Sequence, residues 1–521
     1  MPSFISRKSK IVTLALFVTT QIWALELPNI FSDNMVLQCE MPVRIWGKGK
    51  PGATVEVYFA GQKVSTQTGP DGKWVIFLEP LEVSFEESEL KVACGDEERI
   101  FRNILVGEVW LGSGQSNMQW SVEMSGDSDI LLLGANDPYL RLHKVNYAVS
   151  REPLFSDRWN WVSDKAESTR HISSVAYQFA RDMRATLQVP VGIINASVGG
   201  TPSIAWTRGE AISQSPQLQA KDDEWEAKLA RYDEDLLRWE KAYAAWLEEK
   251  GIKHEDYNQH RFQGAPWKPE AANSPNRPAS LANGMIAPIA GYSMRGVIWY
   301  QGEEDAKWDP ANYDQRLKVM IEDWRQWWGK ERLPFGIVQL ANLQFPQKQP
   351  TNGPWANIRE CQRRVALSDP MIGLVVTTDI GEANDIHPRD KFTVARRLSR
   401  WALTDVYGKL KLAGGPEIES AVKEGSTVLL RFNQTGEGLH LMDAHQLGGF
   451  TASDSLTEAI GETDFYFVKA HIRSKAEVSL DIPAGKNPVR IRYGWQSNPI
   501  KANLSNKERL PASPFEIEIS R

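Results

Sequence analysis

The run from Val109 to Met118 joins an apolar segment to a small-residue turn that carries one hydroxyl, on Ser116. Residues 106–111 predict a buried strand, and Met118 onward predicts a helix, so Ser116 is expected at a strand's carboxyl end. Open α/β sheets place their chemistry at that edge. A base that takes the hydroxyl proton would make Ser116 a nucleophile, and backbone amides at the turn would stabilise an oxyanion. The alternative is a helix N-cap serine in a tight turn.

The histidine that best fits the base lies in the run Asp385-Ile386-His387-Pro388. Pro388 suits the first position of a helix that stops at Gly408, so His387 is expected at a helix start. The carboxylate of Asp385 would hold the imidazole in the useful tautomer and stabilise its protonated form. Asp379, at the end of the preceding predicted strand, is the rival for this role. Without chemistry, these residues would be a helix-start histidine and turn-forming aspartates.

An oxyanion also needs hydrogen-bond donors from neighbouring strand ends. Gly199 and Gly200 follow a predicted strand, and their missing side chains let backbone amides approach a substrate closely. After the next predicted strand comes Gln301, whose amide can donate to the same oxygen, followed by Glu303 and Asp305. The alternatives are a tight glycine turn and a solvated acidic turn.

The surrounding pattern predicts three folded regions. Residues 25–105 carry short alternating runs separated by Pro-Gly and Asp-Gly turns, which indicate an antiparallel β-sandwich. Residues 106–410 alternate apolar strands with helices, which is typical of a parallel sheet covered by helices, with a charged helical insertion at about 216–263. Residues 411–521 return to strands and form a second β domain. The strands predicted for the middle region are Ile104 to Leu111, Val191 to Ala196, Gly296 to Tyr300, Phe335 to Leu340 and Gly373 to Thr378.

Composition narrows the function classes. The chain has 521 residues, a net charge of −6 and no basic run, so nucleic acid is not expected as a partner. Three cysteines are too few for a disulfide scaffold, although Cys39 and Cys94 both fall in the first β region, where a disulfide between them is an open alternative. The scattered histidines form no metal-binding motif, so no metal is expected.

The N-terminal segment has the pattern of a secretory leader. Arg7, Lys8 and Lys10 precede an apolar run from Ile11 to Ala24, with Ala24 as the cleavage point. This run is too short for a membrane span, so stable membrane insertion is not expected. The mature protein is therefore expected to be secreted or periplasmic.

Several ordered motifs give the chain a resemblance to the sialate O-acetylesterase-like branch of the SGNH hydrolases, which are secreted serine esterases that remove acetyl groups from sugars. These motifs are Leu27-Pro28, Phe31 to Asp33, Met35 to Gln38, Gly114 to Met118, Asn283 to Pro288, Trp299 to Glu303, Asp385 to Pro388, Leu510 to Ala512 and Pro514-Phe515. The resemblance implies a flavodoxin-like parallel-sheet domain flanked by β-sandwiches. It also implies Ser116 as nucleophile, His387 as base, the glycine pair with Gln301 as the oxyanion region, and no cofactor.

Two positions depart from the family pattern. Asp305 stands where the family often has asparagine, and an ionised carboxylate cannot donate to an oxyanion, which favours Gln301 as the donor. The wider superfamily places its aspartate three residues before the histidine, where this chain has Asn384. Asp385 matches the pattern of this branch.

The resemblance predicts an acetylated carbohydrate as substrate. Acetylated sialic acid, acetyl xylan and other acetylated polysaccharides stay open, since fold does not determine substrate. Trp206, Glu303 and Trp355 are predicted to contact the sugar, although most tryptophans pack in cores. A glycan-binding protein without catalysis is the alternative from another class, motivated by the two β domains and Asp305.

The leader can be tested directly. Mass spectrometry of protein secreted by its own host is expected to show an N-terminus near Leu25, because cleavage would follow the small residue Ala24. A cytosolic form that retains Met1 would contradict the leader.

Overall fold

The computed structural model describes residues 24–252, 256–260, 263–442, 445–455 and 464–520. The predicted leader, apart from its last residue, lies outside the described residues. In the described part, no helix has both the length and the apolar character needed to cross a membrane.

The strands comprise a central group and two peripheral groups. They are β1 (Val36–Gln38), β2 (Val43–Lys48), β3 (Thr54–Phe59), β4 (Gln62–Gln67), β5 (Lys73–Leu78), β6 (Ser84–Cys94), β7 (Glu97–Gly114), β8 (Leu140–Lys144), β9 (Val162–Ser163), β10 (Val191–Ser197), β11 (Gly296–Tyr300), β12 (Phe335–Val338), β13 (Ile372–Val375), β14 (Glu417–Glu424), β15 (Thr427–Asn433), β16 (Leu439–Leu441), β17 (Phe450–Ser453), β18 (Phe465–Phe467), β19 (Lys469–Ile472), β20 (Glu477–Asp481), β21 (Arg490–Tyr493), β22 (Leu504–Asn506) and β23 (Phe515–Glu518).

The α-helices fall mostly between the central strands. They are α1 (Ser116–Gln119), α2 (Ser128–Leu133), α3 (Ala166–Thr169), α4 (Ser174–Leu187), α5 (Gly209–Gln214), α6 (Pro216–Leu229), α7 (Tyr232–Lys250), α8 (Tyr257–His260), α9 (Tyr313–Trp328), α10 (Pro354–Leu367) and α11 (Lys391–Trp401).

The predicted mixed α/β architecture is confirmed, and its central sheet is built around β7. The parallel strands lie in the order β13-β12-β11-β7-β10-β8, with β9 antiparallel on the edge beyond β8. Strands β8, β9 and β10 therefore lie on one side of β7, and the chain crosses to the other side between β10 and β11. Such a change of direction opens a crevice at the carboxyl ends of the strands, which is where open α/β sheets bind ligands.

Strand β7 also belongs to the first antiparallel region. Its first half pairs with β6, and its second half pairs with β10 and β11, so residue 105, the predicted boundary, lies inside one continuous strand. The first region adds the antiparallel pairs β3–β4, β3–β6 and β2–β5, whereas β1 pairs with β7 in parallel, so the region is not purely antiparallel as predicted. Alternate residues of β5 are buried and exposed, which reflects the period of two of a strand with one solvated face.

The C-terminal region contains two antiparallel four-stranded sheets, β14-β15-β20-β19 and β18-β17-β21-β23. Phe432, Tyr493 and Phe515 pack together in the core of this region. Between the central strands, segment 216–263 forms α6, α7 and α8, and Trp239 stacks on Tyr243 with ring centroids 5.1 Å apart.

The helix after His387 starts later than predicted. It begins at Lys391 rather than at Pro388, because the carboxylate of Asp390 accepts a hydrogen bond from the Thr393 amide and caps the first turn. His387 therefore lies in the turn before the helix. Gly408, with a φ of +61°, lies beyond the helix end as predicted.

The disulfide left open for Cys39 and Cys94 is absent, since both thiols are free and buried. The Cys39 thiol instead contacts the carboxylate of Glu108 at 3.4 Å. Burial and this negative neighbour raise the pKa of Cys39 to about 12.

Strand β13 packs directly against helix α11 at Gly373, where there is no room for a larger side chain. A Cβ atom on Gly373 would lie 2.0 Å from Nε1 of the buried Trp401. We expect Gly373→Ala to lower the free energy of unfolding by about 1–3 kcal/mol, measured by urea titration. Gly209→Ala is the matched control, because a Cβ atom there has nothing within 4 Å. Equal unfolding midpoints for the two variants would contradict this packing.

Candidate active site

Ser116 begins α1, directly beyond the carboxyl end of β7. Gly114 makes the turn: its φ is +136°, and a Cβ atom there would lie 2.2 Å from the carbonyl oxygen of Tyr300. The Gln115 amide donates to that same oxygen at 3.0 Å. The turn is thus fixed against β11, because only glycine fits the conformation and the contact.

The loop after β10 lies against Ser116. A Cβ atom on Gly199 would be 3.2 Å from the Cβ atom of Ser116, so the glycine permits this approach. The Gly199 amide donates to Oε1 of Gln119 at 2.8 Å. Gly200 is exposed, has a φ of +69° and supplies the left-handed turn. The structure therefore brings Gly199 beside Ser116, while Gly200 lies on the exposed side of the same turn.

His387 is held next to the same short helix. Its imidazole stacks on Trp120, with ring centroids 4.8 Å apart and an interplanar angle of 22°. The side-chain amide of Asn117 donates to the carbonyl oxygen of Ile386 at 3.0 Å. The residue after Ser116 is therefore hydrogen-bonded to the residue before His387, which brings the two turns together.

The two candidate carboxylates have different surroundings. Oδ1 of Asp385 accepts the backbone amide of His387 at 2.8 Å and lies 3.8 Å from the imidazole Nδ1. The second distance is too long for a hydrogen bond but is short enough for an ion pair. Asp379 instead forms two hydrogen bonds to Arg397, at 2.7 and 2.6 Å. Asp385 is the carboxylate beside the imidazole.

The pKa of His387 is lowered from its ordinary value. Burial disfavours the charged imidazole most, and the positive charge of Lys391 adds to this effect, while Asp385 opposes it. A lowered pKa keeps the imidazole neutral, and thus able to accept a proton, down to lower pH.

The structure does not place the side-chain amide of Gln301 as an oxyanion donor. Its Nε2 donates to the Thr201 carbonyl at 3.1 Å and to Asp305 at 2.6 Å, so both protons are engaged. Asp305 is buried, accepts the Ser203 amide at 2.8 Å and pairs with Arg316 at 2.9 Å. The aspartate at the usual asparagine position therefore ties the loops after β10 and β11 together.

Two residues predicted to contact sugar are buried. Trp206 has no exposed surface, and its indole donates to the Thr201 hydroxyl at 3.0 Å. Glu303 is 3% exposed and accepts from Asn117 at 2.6 Å. Both side chains are buried and hydrogen-bonded to interior residues, so neither offers a surface to a sugar. Trp355 is half-buried, and its indole donates to the Ala341 carbonyl at 2.8 Å.

Sequence reasoning missed Asn117, Trp120 and Lys391. The Lys391 ammonium donates to Oδ1 of Asn117 at 2.5 Å, and its side chain is buried. One signal was available: Trp120 stands four residues after Ser116, a separation of about one helical turn, and its backbone amide donates to the Ser116 carbonyl at 2.8 Å. Nothing in the sequence marks Lys391 as buried.

Among the described residues, one group of side chains has the spacing of metal ligands: Cys39, Glu40 and Glu108. Glu108 is paired with Arg295 at 2.6 Å, so its charge is already neutralised. It also lies six residues before Gly114 on β7, roughly 20 Å from the Ser116 turn at the rise of a strand. This group is a salt-bridge cluster separate from the candidate site.

A serine turn at the topological switch of a parallel sheet, with a histidine turn bound to it, is the arrangement of a hydrolytic enzyme. The family model "Carbohydrate esterase, sialic acid-specific acetylesterase" matches residues 106–248 and 279–398. The chain belongs to this family and is a carboxylic ester hydrolase. The predicted family and enzyme class are thereby confirmed.

Similar proteins have names that match this family. The chain is 28% identical to a sialate O-acetylesterase of Mus musculus over 94% of each chain. It is 27% identical to that of Homo sapiens, over 78% of this chain and 76% of the relative. A crystal structure of a carbohydrate acetylesterase from Xanthomonas citri is similar with a TM-score of 0.76 and 29% identity, covering 95% of this chain and 99% of that one.

The surroundings of the two aspartates predict different effects of substitution. Asp385→Asn should lower kcat by about a hundredfold or more near neutral pH, because it removes the charge that stabilises the imidazolium. Asp379→Asn should lower the unfolding free energy by about 1–3 kcal/mol, because Arg397 loses a charged partner, with little change in kcat of the folded enzyme. Kinetics corrected for folded fraction, together with urea titrations, would check both. A kcat loss confined to Asp379→Asn would move the orienting role to Asp379.

Proposed function

We propose that the chain is an exported carbohydrate O-acetylesterase of the SGNH type, with a flavodoxin-like catalytic unit between two β-sandwich domains. Ser116 is its nucleophile, His387 its base, and Asp385 the carboxylate that stabilises the imidazolium. The observation that carries the proposal is the direct contact between the two turns, through the Asn117–Ile386 hydrogen bond and the Trp120–His387 stack.

The proposed reaction uses Ser116 and His387 in two steps, acetyl transfer to the serine and hydrolysis of the acetyl-enzyme. His387 takes the Ser116 proton as Oγ attacks the acetyl carbonyl carbon, and the C=O electrons move to oxygen. The oxyanion collapses, the bond to the sugar oxygen breaks, and His387 returns its proton to that oxygen. Water, deprotonated by His387, then attacks the acetyl carbonyl carbon. The bond to Ser116 Oγ breaks, His387 returns the proton to Oγ, and acetate leaves.

The loop after β10 supplies the oxyanion donors in this proposal. The Gly199 amide is our candidate donor, because a Cβ atom on Gly199 would lie 3.2 Å from the Cβ atom of Ser116. This amide is bonded to the side-chain oxygen of Gln119, which is exposed. Gln119 must therefore turn away as the oxyanion forms, which its position at the solvent edge permits.

The relatives indicate the substrate class. Those from mouse and human are named sialate O-acetylesterases, and the Xanthomonas citri structure is described as a carbohydrate acetylesterase. We therefore propose an O-acetyl group on a carbohydrate as the scissile ester. Acetate release from native acetylated sialosides, acetyl xylan and other acetylated polysaccharides, measured side by side, would identify the sugar.

Loss of the nucleophile or the base tests the mechanism. Ser116→Ala should lower acetylesterase kcat at least about a thousandfold, and His387→Ala should be comparable. The double variant should be no worse than either, since the two groups act as a unit. Ser213→Ala and His471→Ala are matched controls at exposed sites. An active, purified Ser116→Ala protein would refute the serine mechanism.

A further inference from the structure

Lys391 is a buried cation at a helix start, a position that local physical chemistry disfavours. It is 1% exposed and is the first residue of α11, where the helix dipole already places partial positive charge. A buried ammonium also loses its hydration, a cost that needs compensating partners. Its partners therefore indicate why it is kept there.

Those partners lead to the candidate active site. Nζ of Lys391 donates to Oδ1 of Asn117 and lies 5.7 Å from the ring centroid of Trp120 and 5.8 Å from that of Tyr300. Trp120 is the ring on which His387 stacks. The Lys391 ammonium therefore contacts Asn117, which follows Ser116, and lies close to Trp120, on which His387 stacks.

Lys391 also determines the orientation of the Asn117 amide. An ammonium only donates, so it requires the amide oxygen, and both amide protons then go to acceptors, Glu303 at 2.6 Å and Ile386 at 3.0 Å. With the amide reversed, N–H groups would face the ammonium and the oxygen would face two acceptors. The hydrogen bond that joins the two turns therefore depends on the donor from Lys391.

The hydrogen-bond network of Lys391 and Asn117 also includes a buried carboxylate, that of Glu303. Glu303 is the buried counter-charge, and its Oε2 has no hydrogen-bond partner in the described part of the chain. Burial raises the pKa of Glu303 and lowers the pKa of Lys391 to about 8. Below that value Lys391 is cationic, and its charge disfavours protonation of His387. The negative charges of Glu303, Glu382, Asp385 and Asp390 favour the charged form of Lys391, and Asp385 favours the charged form of His387 as well.

We propose that Lys391 is a positioning residue which, by fixing the Asn117 amide, holds His387 in register with Ser116 and places a positive charge beside the ring on which His387 stacks. This inference rests on the proposed function of Ser116 and His387. It assigns Glu303 the role of interior counter-charge instead of sugar contact.

Two substitutions of Lys391 distinguish the effect of its hydrogen bond from the effect of its charge. Lys391→Met keeps the length and loses the donor, and should lower kcat about 10- to 100-fold with KM within about twofold, because the base is misplaced. Lys391→Gln keeps an N–H donor without charge and should retain more of kcat. In both variants the pKa of His387 should rise, moving the acid limb of kcat/KM to higher pH. Lys307→Met, which removes an exposed lysine paired with Glu304, is the matched control.

A double-variant cycle tests the route through Asn117. Adding Lys391→Met to Asn117→Ala should cost little further kcat, since both act through one hydrogen-bond chain. Multiplying losses, or a folded Lys391→Met protein with unchanged kcat, would overturn the proposal. So would a His387 pKa, measured by NMR titration of the imidazole, that does not rise. The NMR readout holds even if the wild-type protein releases no acetate, an outcome that would instead contradict the proposed function.

Discussion

The pairing of β7 with β10 on one side and β11 on the other is the constraint on which the site depends. Gly114 is in register with both Ser197 and Tyr300, so three strands end in one row. The loops that follow them carry Ser116, Gly199 and the Gln301–Asp305 turn. Because β7 also pairs with β6 of the first region, the Ser116 turn follows a strand that is held along its whole length.

The sequence predicted the parts of this arrangement that local patterns govern. Strand β11 begins and ends where predicted. Strand β8 was missed because Arg141 and His143 interrupt its apolar pattern. Both are buried, Arg141 bonded to Ser163 at 2.6 Å and His143 to Asp157 at 2.8 Å, and such partners become visible only in the folded chain. The late start of α11 has a local cause, the capping by Asp390.

The candidate site also has residues that the sequence pointed to and residues whose position it did not reveal. Motif and spacing nominated Ser116, His387 and the glycine pair, and in the structure the His387 turn and Gly199 lie beside the Ser116 turn. Motif and spacing did not show which polar residues near those motifs face inward. Gln301, Glu303 and Asp305 stand in a run that suits a solvated acidic turn, yet all three are buried and hydrogen-bonded. Their interior role depends on Arg316, Asn117 and Lys391, which come from distant parts of the chain.

The central claim, that Ser116 carries the acetyl group, is tested most directly by trapping the intermediate. The enzyme would be mixed with an activated acetyl ester, quenched in acid within a turnover, digested and mapped by mass spectrometry. We expect one added acetyl group on the peptide that contains Ser116, and none in Ser116→Ala. Acetyl on another residue, or acetate release with no acetylated peptide at any time, would contradict it.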